Sequence, residues 1–198
     1  MLAVAAVACG TAGEKTAAKA DSTATPAPDS FRVVFETSRG KFVVQAIKAW
    51  APIGVERFYR LVNDGFYDDN RFFRVVPGFV VQFGLNGEPK KNDAWDDKRL
   101  PDDSVRQSNA RGTITFATEG PRTRTHQLFI NLADNARLDK MGFAPFGKVV
   151  EGMDVVDSLY SAYGEDPEQH FIMTMGNSYL SRLFPKLDYI KTAKVGAP

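Results

Sequence analysis

The chain has 198 residues, of which 43% are hydrophobic and 25% charged, a balance typical of a globular protein with one core of ordinary size. Its formal net charge of +1 gives no bulk field to attract nucleic acid or an anionic membrane. The only cysteine is Cys9, which excludes an internal disulfide and a cysteine-based zinc cluster, and with two histidines we expect no metal site.

Residues 1–10, MLAVAAVACG, are similar to the end of an apolar signal segment followed by a small-residue cleavage site. The run AVAC also resembles a bacterial lipoprotein processing box, in which Cys9 would be lipidated, although no basic segment precedes it. A flexible alanine-rich leader with a chance cysteine is the alternative. Residues 11–30 lack aromatic residues and periodicity, and this composition indicates a disordered tether. We therefore expect a truncated leader and tether over 1–30 and one folded domain over 31–198.

The folded domain begins with a predicted β-hairpin and a predicted helix. Residues 31–47 are two β-rich runs separated by TSRG. Residues 51–67, APIGVERFYRLVNDGFY, place apolar residues at helical spacing between Pro52 and Gly65, which predicts an amphipathic helix. A second helical pattern covers 152–164. Further β-type runs lie at 72–76, 79–83, 113–117, 128–131, 146–150 and 189–195.

About eight strands with two or three helices, and no regular strand–helix–strand alternation, predict a mostly-β antiparallel barrel or sandwich. The longest connection, 85–111, is polar, and its acid pairs at 96–97 and 102–103 are expected on a solvated face. The sequence contains no G-x-S-x-G, H-E-x-x-H, P-loop or G-x-G-x-x-G motif, so none of these familiar chemistries is indicated.

The segment RFFRVVPGFVVQFG, residues 71–84, carries polar groups within an apolar run. Strand alternation would place Arg74 on one face with Phe72 and Val76. Such an arginine is commonly solvated or bridged to a surface carboxylate, and the alternative is a guanidinium held among packed neighbours and directed at a ligand. Gln82 can donate and accept hydrogen bonds, so the pair could bind a peptide backbone beside an apolar pocket. The pattern alone leaves both interpretations open.

The string FFRVVPGFVVQFG closely resembles the signature of the cyclophilins, the barrel-type peptidyl-prolyl cis-trans isomerases. Three further segments resemble the family's motifs in the same order: GTITFAT at 112–118, THQLFIN at 125–131 and RLDKMGFAPFGKVVEGMDVVD at 137–157. The resemblance covers essentially all of 31–198. It implies a closed antiparallel eight-stranded β-barrel capped by two main α-helices, and an isomerase that needs no cofactor or metal.

The resemblance also assigns site residues. Arg74 takes the position of the catalytic arginine, and Phe143 falls where many members have a histidine that closes the proline pocket. Arg137 stands where eukaryotic members have tryptophan and many bacterial ones phenylalanine, which leaves sensitivity to cyclosporin open. His126 replaces a small residue and is expected at the surface beside the groove, without a catalytic role. The remaining expected substrate-binding positions are Phe79, Val80, Gln82, Ala117, Thr118, Gln127, Phe129 and Leu138.

We expect from this resemblance an isomerase that assists the folding of exported proteins, acts as a monomer on proline-containing unfolded or flexible polypeptides, and binds no nucleic acid. Membrane contact would occur only through a lipid on Cys9, in a bacterial cell envelope; a leader that is not a signal would leave the protein cytoplasmic. One alternative is a binding module whose turnover is incidental. Another is a barrel lectin or small-molecule carrier, in which Phe79 and Phe129 would stack on a sugar. Client proteins and the preferred residue before proline remain open.

Overall fold

A computed structural model of the chain describes residues 25–196. The strands of this part are β1 (Ser30–Thr37), β2 (Lys41–Ile47), β3 (Arg74–Val76), β4 (Val80–Phe83), β5 (Thr113–Phe116), β6 (Leu128–Asn131), β7 (Pro145–Glu151) and β8 (Ile190–Val195). The helices are α1 (Pro52–Asn63), α2 (Pro89–Asp96), α3 (Met153–Asp157), α4 (Gln169–Met175) and α5 (Asn177–Leu183), together with a 3-10 helix at Ala136–Met141.

All eight strands belong to one antiparallel sheet in the order β3-β4-β6-β5-β7-β2-β1-β8. The predicted fold class and the number of strands are confirmed. The predicted full closure of the barrel is an overstatement. At the two ends of the sheet, the segment before β3 meets the start of β8 through an isolated bridge between Arg71 and Tyr189 and a hydrogen bond from the Asp69 N–H to the Ile190 carbonyl at 2.8 Å. The N–H of Val75 on β3 donates to the Gly164 carbonyl at 3.1 Å and not to β8, so the sheet curls into an incompletely closed barrel.

The interior of the curled sheet is filled largely by phenylalanine rings. Phe35 and Phe42 stack with ring centroids 4.7 Å apart, and Phe58 of α1 contacts Phe146 at 4.9 Å. Each fully buried ring contributes about 1.5–3 kcal/mol relative to an exposed one. Helix α1 follows the predicted pattern: Pro52 begins it, and its apolar face closes one end of the barrel.

Asp103 corrects the expectation that the acid pairs of the long connection are solvated. Its side chain accepts hydrogen bonds from the backbone N–H groups of Ile53, at 3.0 Å, and Gly54, at 2.8 Å, at the start of α1. It also pairs with the guanidinium of Arg124 at 3.0 Å, and both side chains are buried. Helix N-terminal N–H groups and a buried cation together compensate the desolvation of this carboxylate.

The prediction of two main helices is incomplete. The pattern at 152–164 forms a helix only over α3, and α2, α4 and α5 were not predicted. Helices α4 and α5 have seven residues each, too few to show a repeated period of 3.6. They are held by a second apolar cluster in which Ile172 and Leu180 pack on Phe73 and Leu85.

The packed chain begins slightly before the predicted boundary at Phe31. Ala27 is buried, its N–H donates to Glu56 at 2.9 Å, and its carbonyl accepts from the Lys48 ammonium at 3.1 Å. The predicted leader, including Cys9, and most of the predicted tether lie outside the described residues. Within the part that is described, no helix combines the length and apolar character needed to cross a bilayer.

Asp188 joins three distant parts of the barrel. Its carboxylate accepts hydrogen bonds from Ser38 at 2.7 Å, Arg39 at 2.8 Å and the backbone N–H of Tyr160 at 2.8 Å. Burial alone would raise the pKa of the Asp188 carboxyl, but the hydrogen bonds from Arg39, Ser38 and Tyr160 outweigh it and hold the pKa below its ordinary value.

We expect Asp188→Asn to lower the free energy of unfolding by about 1–3 kcal/mol at neutral pH, because three donors lose a charged acceptor. A carboxyl whose folded pKa is depressed stabilises the fold above its unfolded pKa, so the wild-type advantage should shrink as the pH falls below about 4. Denaturant unfolding at pH 7 and pH 3.5 measures both effects. Glu36→Gln, which neutralises an exposed acid on β1, is the control; an equal deficit at both pH values would contradict the assignment.

Candidate active site

A groove with a cavity volume of about 470 Å³ lies on the outer face of β4 and β6. It is bounded by Arg74 at the start of β3, by the chain following β5, and by the 3-10 helix. All ten residues that the sequence assigned to the site line it: Arg74, Phe79, Val80, Gln82, Ala117, Thr118, Gln127, Phe129, Leu138 and Phe143.

Strand register explains why these side chains meet. Gln82 on β4 is paired with Phe129 on β6, and Val80 lies two residues from Gln82, so all three point to the groove face. The alternate residues, including Val81 and Ile130, point into the barrel core. One face of each strand therefore builds the core while the other builds the groove.

The apolar part of the groove is a compact cluster of Val80, Phe129 and Leu138, each at most 6% exposed. The partly buried side chains of Phe79, Ala117 and Phe143 pack against it. The rings of Phe129 and Phe143 meet edge to face, with centroids 5.6 Å apart and an interplanar angle of 73°. This arrangement forms a rigid apolar pocket with aromatic walls.

Arg74 stands at the edge of the pocket. Its partner in the β3–β4 register is Gln82, whose side-chain oxygen accepts from Arg74 Nη1 at 3.3 Å. The amide of Gln82 donates in turn to Gln127 Oε1 at 2.8 Å. The guanidinium carbon lies 5.4 Å from the centroid of the Phe79 ring. A cation and a chain of two amides thus line one side of the apolar pocket.

Arg74 does not share its face with Phe72, as strand alternation had predicted. Phe72 is fully buried in the barrel core, together with Val75. The regular strand begins only at Arg74, so the two-residue alternation does not extend back to Phe72. The guanidinium consequently faces the groove, whereas Phe72 and Val75 fill the barrel interior and Phe73 packs in the second apolar cluster.

Arg74 also pairs with a carboxylate. Glu165 Oε1 accepts from Arg74 Nε at 2.6 Å and contacts Nη2 as well. The side chain of Arg74 is 24% exposed and that of Glu165 is 64% exposed, so the pair lies at the surface of the groove and not inside the protein. The sequence left two interpretations of Arg74 open, and the structure contains features of both. The arginine pairs with a surface carboxylate, and it also lines the groove.

Arg137 makes this side of the groove more polar, as the sequence predicted. Its guanidinium carbon lies 4.6 Å from the centroid of Phe79, within the range of a cation–π contact. Phe79 therefore contacts two guanidinium groups, those of Arg137 and Arg74.

The opposite side of the groove ends in backbone. The N–H of Ala117 donates to the carbonyl of Gln127 at 3.0 Å, and no backbone hydrogen bond of Thr118 is made within residues 25–196. The Thr118 hydroxyl lies 2.7 Å from the Thr123 hydroxyl and also contacts the Gly120 carbonyl, so it belongs to its own loop. At Thr118 the main chain is the group available to another polypeptide.

Asp139 and Asn109 hold the part of the chain that carries Leu138 and Phe143, and sequence reasoning had not identified them. Asp139 Oδ1 accepts from the backbone N–H and side-chain amide of Asn109, both at 2.8 Å, and Oδ2 accepts from Ser108 at 2.7 Å. The same amide donates to the Phe143 carbonyl at 2.9 Å. Burial would raise the pKa of Asp139, but hydrogen bonds from Ser108 and Asn109 lower it below its ordinary value.

His126 is not at the surface, as the sequence had suggested, but fully buried behind the groove. Its Nδ1 lies 2.6 Å from the Gly84 carbonyl and its Nε2 lies 2.6 Å from Asp96 Oδ1. These contacts connect α2 to β4 and leave neither ring nitrogen facing the groove.

The groove continues beyond the predicted residues. Gln169 and Met173 of α4 reach its margin, and a polar end is lined by Asp96, Asp97, Arg99, Glu119, Thr123 and Thr125. These residues come from segments distant in sequence whose packing no local pattern revealed. Within residues 25–196, no three His, Cys, Asp or Glu side chains are grouped as metal ligands.

Comparison with known proteins shows a family match and similar sequences. Residues 32–177 match the family model described as cyclophilin type peptidyl-prolyl cis-trans isomerase/CLD. Peptidyl-prolyl cis-trans isomerase A of Dickeya dadantii (strain 3937) is 40% identical over 152 residues, covering 73% of this chain and 79% of the relative. Peptidyl-prolyl cis-trans isomerase B of Escherichia coli (strain K12) is 34% identical over 144 residues, covering 64% and 82%.

Solved structures show the same fold at lower sequence identity. The cyclophilin type peptidyl-prolyl cis-trans isomerase cgd2_1660 of Cryptosporidium parvum has a TM-score of 0.64 and 18% identity, covering 85% of this chain and 99% of its own. A second structure of that protein, in the presence of dipeptide ala-pro, has a TM-score of 0.62 and 18% identity, covering 84% and 99%.

We expect Asp139→Asn to lower the free energy of unfolding by about 1 kcal/mol at neutral pH and to weaken binding of a proline-containing peptide, because the support of Leu138 and Phe143 loosens. As the folded pKa of Asp139 is depressed, the stability difference should begin to shrink as the pH falls below about 4. Denaturant unfolding and NMR titration measure the two effects. Asp93→Asn, which neutralises an exposed acid on α2, is the control; unchanged peptide affinity in Asp139→Asn would contradict the role.

Proposed function

The chain belongs to the cyclophilin-type peptidyl-prolyl cis-trans isomerases and is an isomerase of X-Pro peptide bonds, and we propose that the groove beside Arg74 is where this reaction takes place. The observation that carries the proposal is the position of one guanidinium at the edge of a buried apolar cluster formed by Val80, Phe129 and Leu138.

The reaction needs a group that recognises a twisted imide. Rotation about an X-Pro bond crosses a barrier of roughly 18–20 kcal/mol because the nitrogen lone pair is delocalised into the carbonyl. In the twisted transition state the lone pair returns to the prolyl nitrogen, which becomes a better hydrogen-bond acceptor. The guanidinium of Arg74 is a permanent planar donor, so it stabilises this nitrogen, or holds the adjacent carbonyl, more strongly when the bond is twisted.

The apolar cluster fixes the other half of the rotating bond. A prolyl ring fits among Phe129, Leu138 and Val80, and Phe79 and Phe143 limit its movement. With the ring held, the residue before proline rotates against it. Lowering the barrier by about 7 kcal/mol would accelerate exchange ~10⁵-fold. A charge-assisted hydrogen bond in a partly dry groove, together with fixed orientation, supplies much of that amount.

The substrate chain pairs with backbone beside the pocket. The main chain at Thr118 extends past the last β5–β6 hydrogen bond, and an extended peptide can continue the pairing there. Gln82 and Gln127 offer amide groups along the same side. We therefore assign proline-containing unfolded or flexible polypeptides as substrates. The related solved structure in the presence of dipeptide ala-pro supports this substrate class.

A binding role without required turnover is the second candidate. The pocket and the free backbone would hold a proline-containing segment even without Arg74, because neither depends on its charge. The residue that separates the two functions is thus Arg74. Family membership sets the lectin or carrier alternative aside.

In the cell, we propose that the protein is a monomer that assists the folding of exported proteins in a bacterial cell envelope. The support is the sequence MLAVAAVACG, which is similar to the end of a lipoprotein signal with Cys9 at the processing site. A diacylglycerol together with an N-acyl chain would anchor the domain firmly, whereas one chain alone binds reversibly. The near-zero net charge fits polypeptide clients better than nucleic acid.

We expect Arg74→Ala to lower kcat/KM for an X-Pro peptide roughly 10²–10³-fold, because the charge-assisted donor is lost from the transition state. Peptide affinity should fall much less, since the apolar pocket remains. Protease-coupled and NMR exchange assays measure the rate, and NMR titration measures affinity.

Two variants make the Arg74 experiment specific. Arg74→Lys keeps the charge without the planar fork and should retain an intermediate rate. Arg32→Ala, which removes an exposed arginine that pairs with Glu151 on the barrel, should keep the wild-type rate. Wild-type turnover in Arg74→Ala would overturn the assignment of Arg74. Cellular complementation by a slow Arg74→Ala variant would favour the binding role.

We expect intact-mass analysis of the native protein from a bacterial host to show a chain that begins at Cys9 and carries lipid. Cys9→Ala should abolish the added mass and release the domain from the membrane fraction. An unmodified chain that begins at Met1 would refute processing at Cys9.

A further inference from the structure

We propose that Glu165 is a positioning residue for the isomerase reaction, which fixes the direction in which Arg74 presents its donors to the rotating bond. This inference rests on the role proposed above for Arg74. Glu165 does not line the groove cavity, and it lies 91 positions further along the chain, so no local pattern connects the two residues.

The guanidinium of Arg74 donates hydrogen bonds to two different acceptors, Glu165 and Gln82. Of its five N–H groups, Nε–H and one on Nη2 point to Glu165 Oε1, and one on Nη1 points to Gln82 Oε1. One N–H on each terminal nitrogen remains for a substrate. Because the guanidinium is planar, holding Nε from one side and Nη1 from the other fixes the orientation of the two remaining donors.

The segment that carries Glu165 is itself held in place. The carbonyl of Gly164 accepts from the N–H of Val75 at 3.1 Å, which attaches the segment to the free edge of β3, next to Arg74. Tyr163 packs edge to face against Phe184 with ring centroids 5.1 Å apart and against Tyr160 at 5.0 Å. The N–H of Tyr160 is fixed by Asp188. Glu165 therefore projects from a backbone that is anchored on both the sheet and the helical cluster.

Two effects of the carboxylate on the reaction oppose each other. Its negative charge reduces the attraction of Arg74 for a substrate, and its hydrogen bonds orient the guanidinium. The Glu165 side chain is 64% exposed, so water and salt weaken the effect of its negative charge on a substrate. Its hydrogen bonds to Arg74 still fix the orientation of the guanidinium. Arginine has a long, flexible side chain that loses much rotamer freedom when it is fixed. Orientation is therefore the larger effect, and removing Glu165 should slow the reaction.

We expect Glu165→Ala to lower kcat about three- to tenfold with less than a twofold change in KM, because orientation matters most when the bond is twisted. Glu165→Gln keeps an acceptor oxygen and should recover at least half of the loss. Asp166→Asn removes an exposed charge one residue away and should keep wild-type kinetics. A wild-type or faster rate in Glu165→Ala, or a loss confined to KM, would overturn the inference.

A second measurement separates this inference from the role of Arg74. In the Arg74→Ala background, Glu165→Ala should have no further effect on the rate. The Nε–H signal of Arg74, observed by NMR, should be protected from exchange in the wild type and lose that protection in Glu165→Ala. Wild-type turnover in Arg74→Ala would reject the role of Arg74 itself. If Arg74→Ala is slow but the wild-type Nε–H is not protected from exchange, only the role of Glu165 is rejected. The same holds if the double variant loses the rate factors of both single variants.

Discussion

The two-residue alternation along β4 and β6 is the constraint on which the rest of this structure depends. Because successive side chains point to opposite faces, Val81 and Ile130 enter the aromatic core while Val80, Gln82 and Phe129 are presented outward. Core packing thereby sets the position of the groove floor. A shift of either strand by one residue would exchange the two sets and destroy core and groove together.

Around this sheet, carboxylates organise the less regular parts of the chain. Asp103 connects the start of α1 to Arg124, Asp139 holds the chain around Leu138, and Asp188 joins the turn between β1 and β2 to the chain after α3. In each case several donors surround one carboxylate, which offsets the cost of removing charge from water. Polar networks in this protein therefore position loops where short strands cannot do so.

Patterns of period two and 3.6 predicted strand β1 and helix α1, because each buries one face over several repeats. The shorter strands were predicted from runs of β-forming residues, since they are too short or too fully buried to show alternation. The ten residues that the motif string assigned to the site lie along one groove, because a resemblance to a family carries spatial information that composition lacks. Glu165 and Asp139 were not found, because their partners come from distant segments. His126 and Asp103 were expected in water, because only tertiary structure reveals the acceptors and donors that compensate their burial.

The pairing of β1 with β8 has a consequence for how the protein is made. The strand that comes first in the chain pairs with the one that comes last, so β1 keeps an open edge until residues 190–195 have been synthesised. Asp188 and the bridge between Arg71 and Tyr189 also become available only then. The sheet of this isomerase is therefore completed only after residue 195 has been made, and a chain that stopped before residue 190 would leave one edge of β1 unpaired.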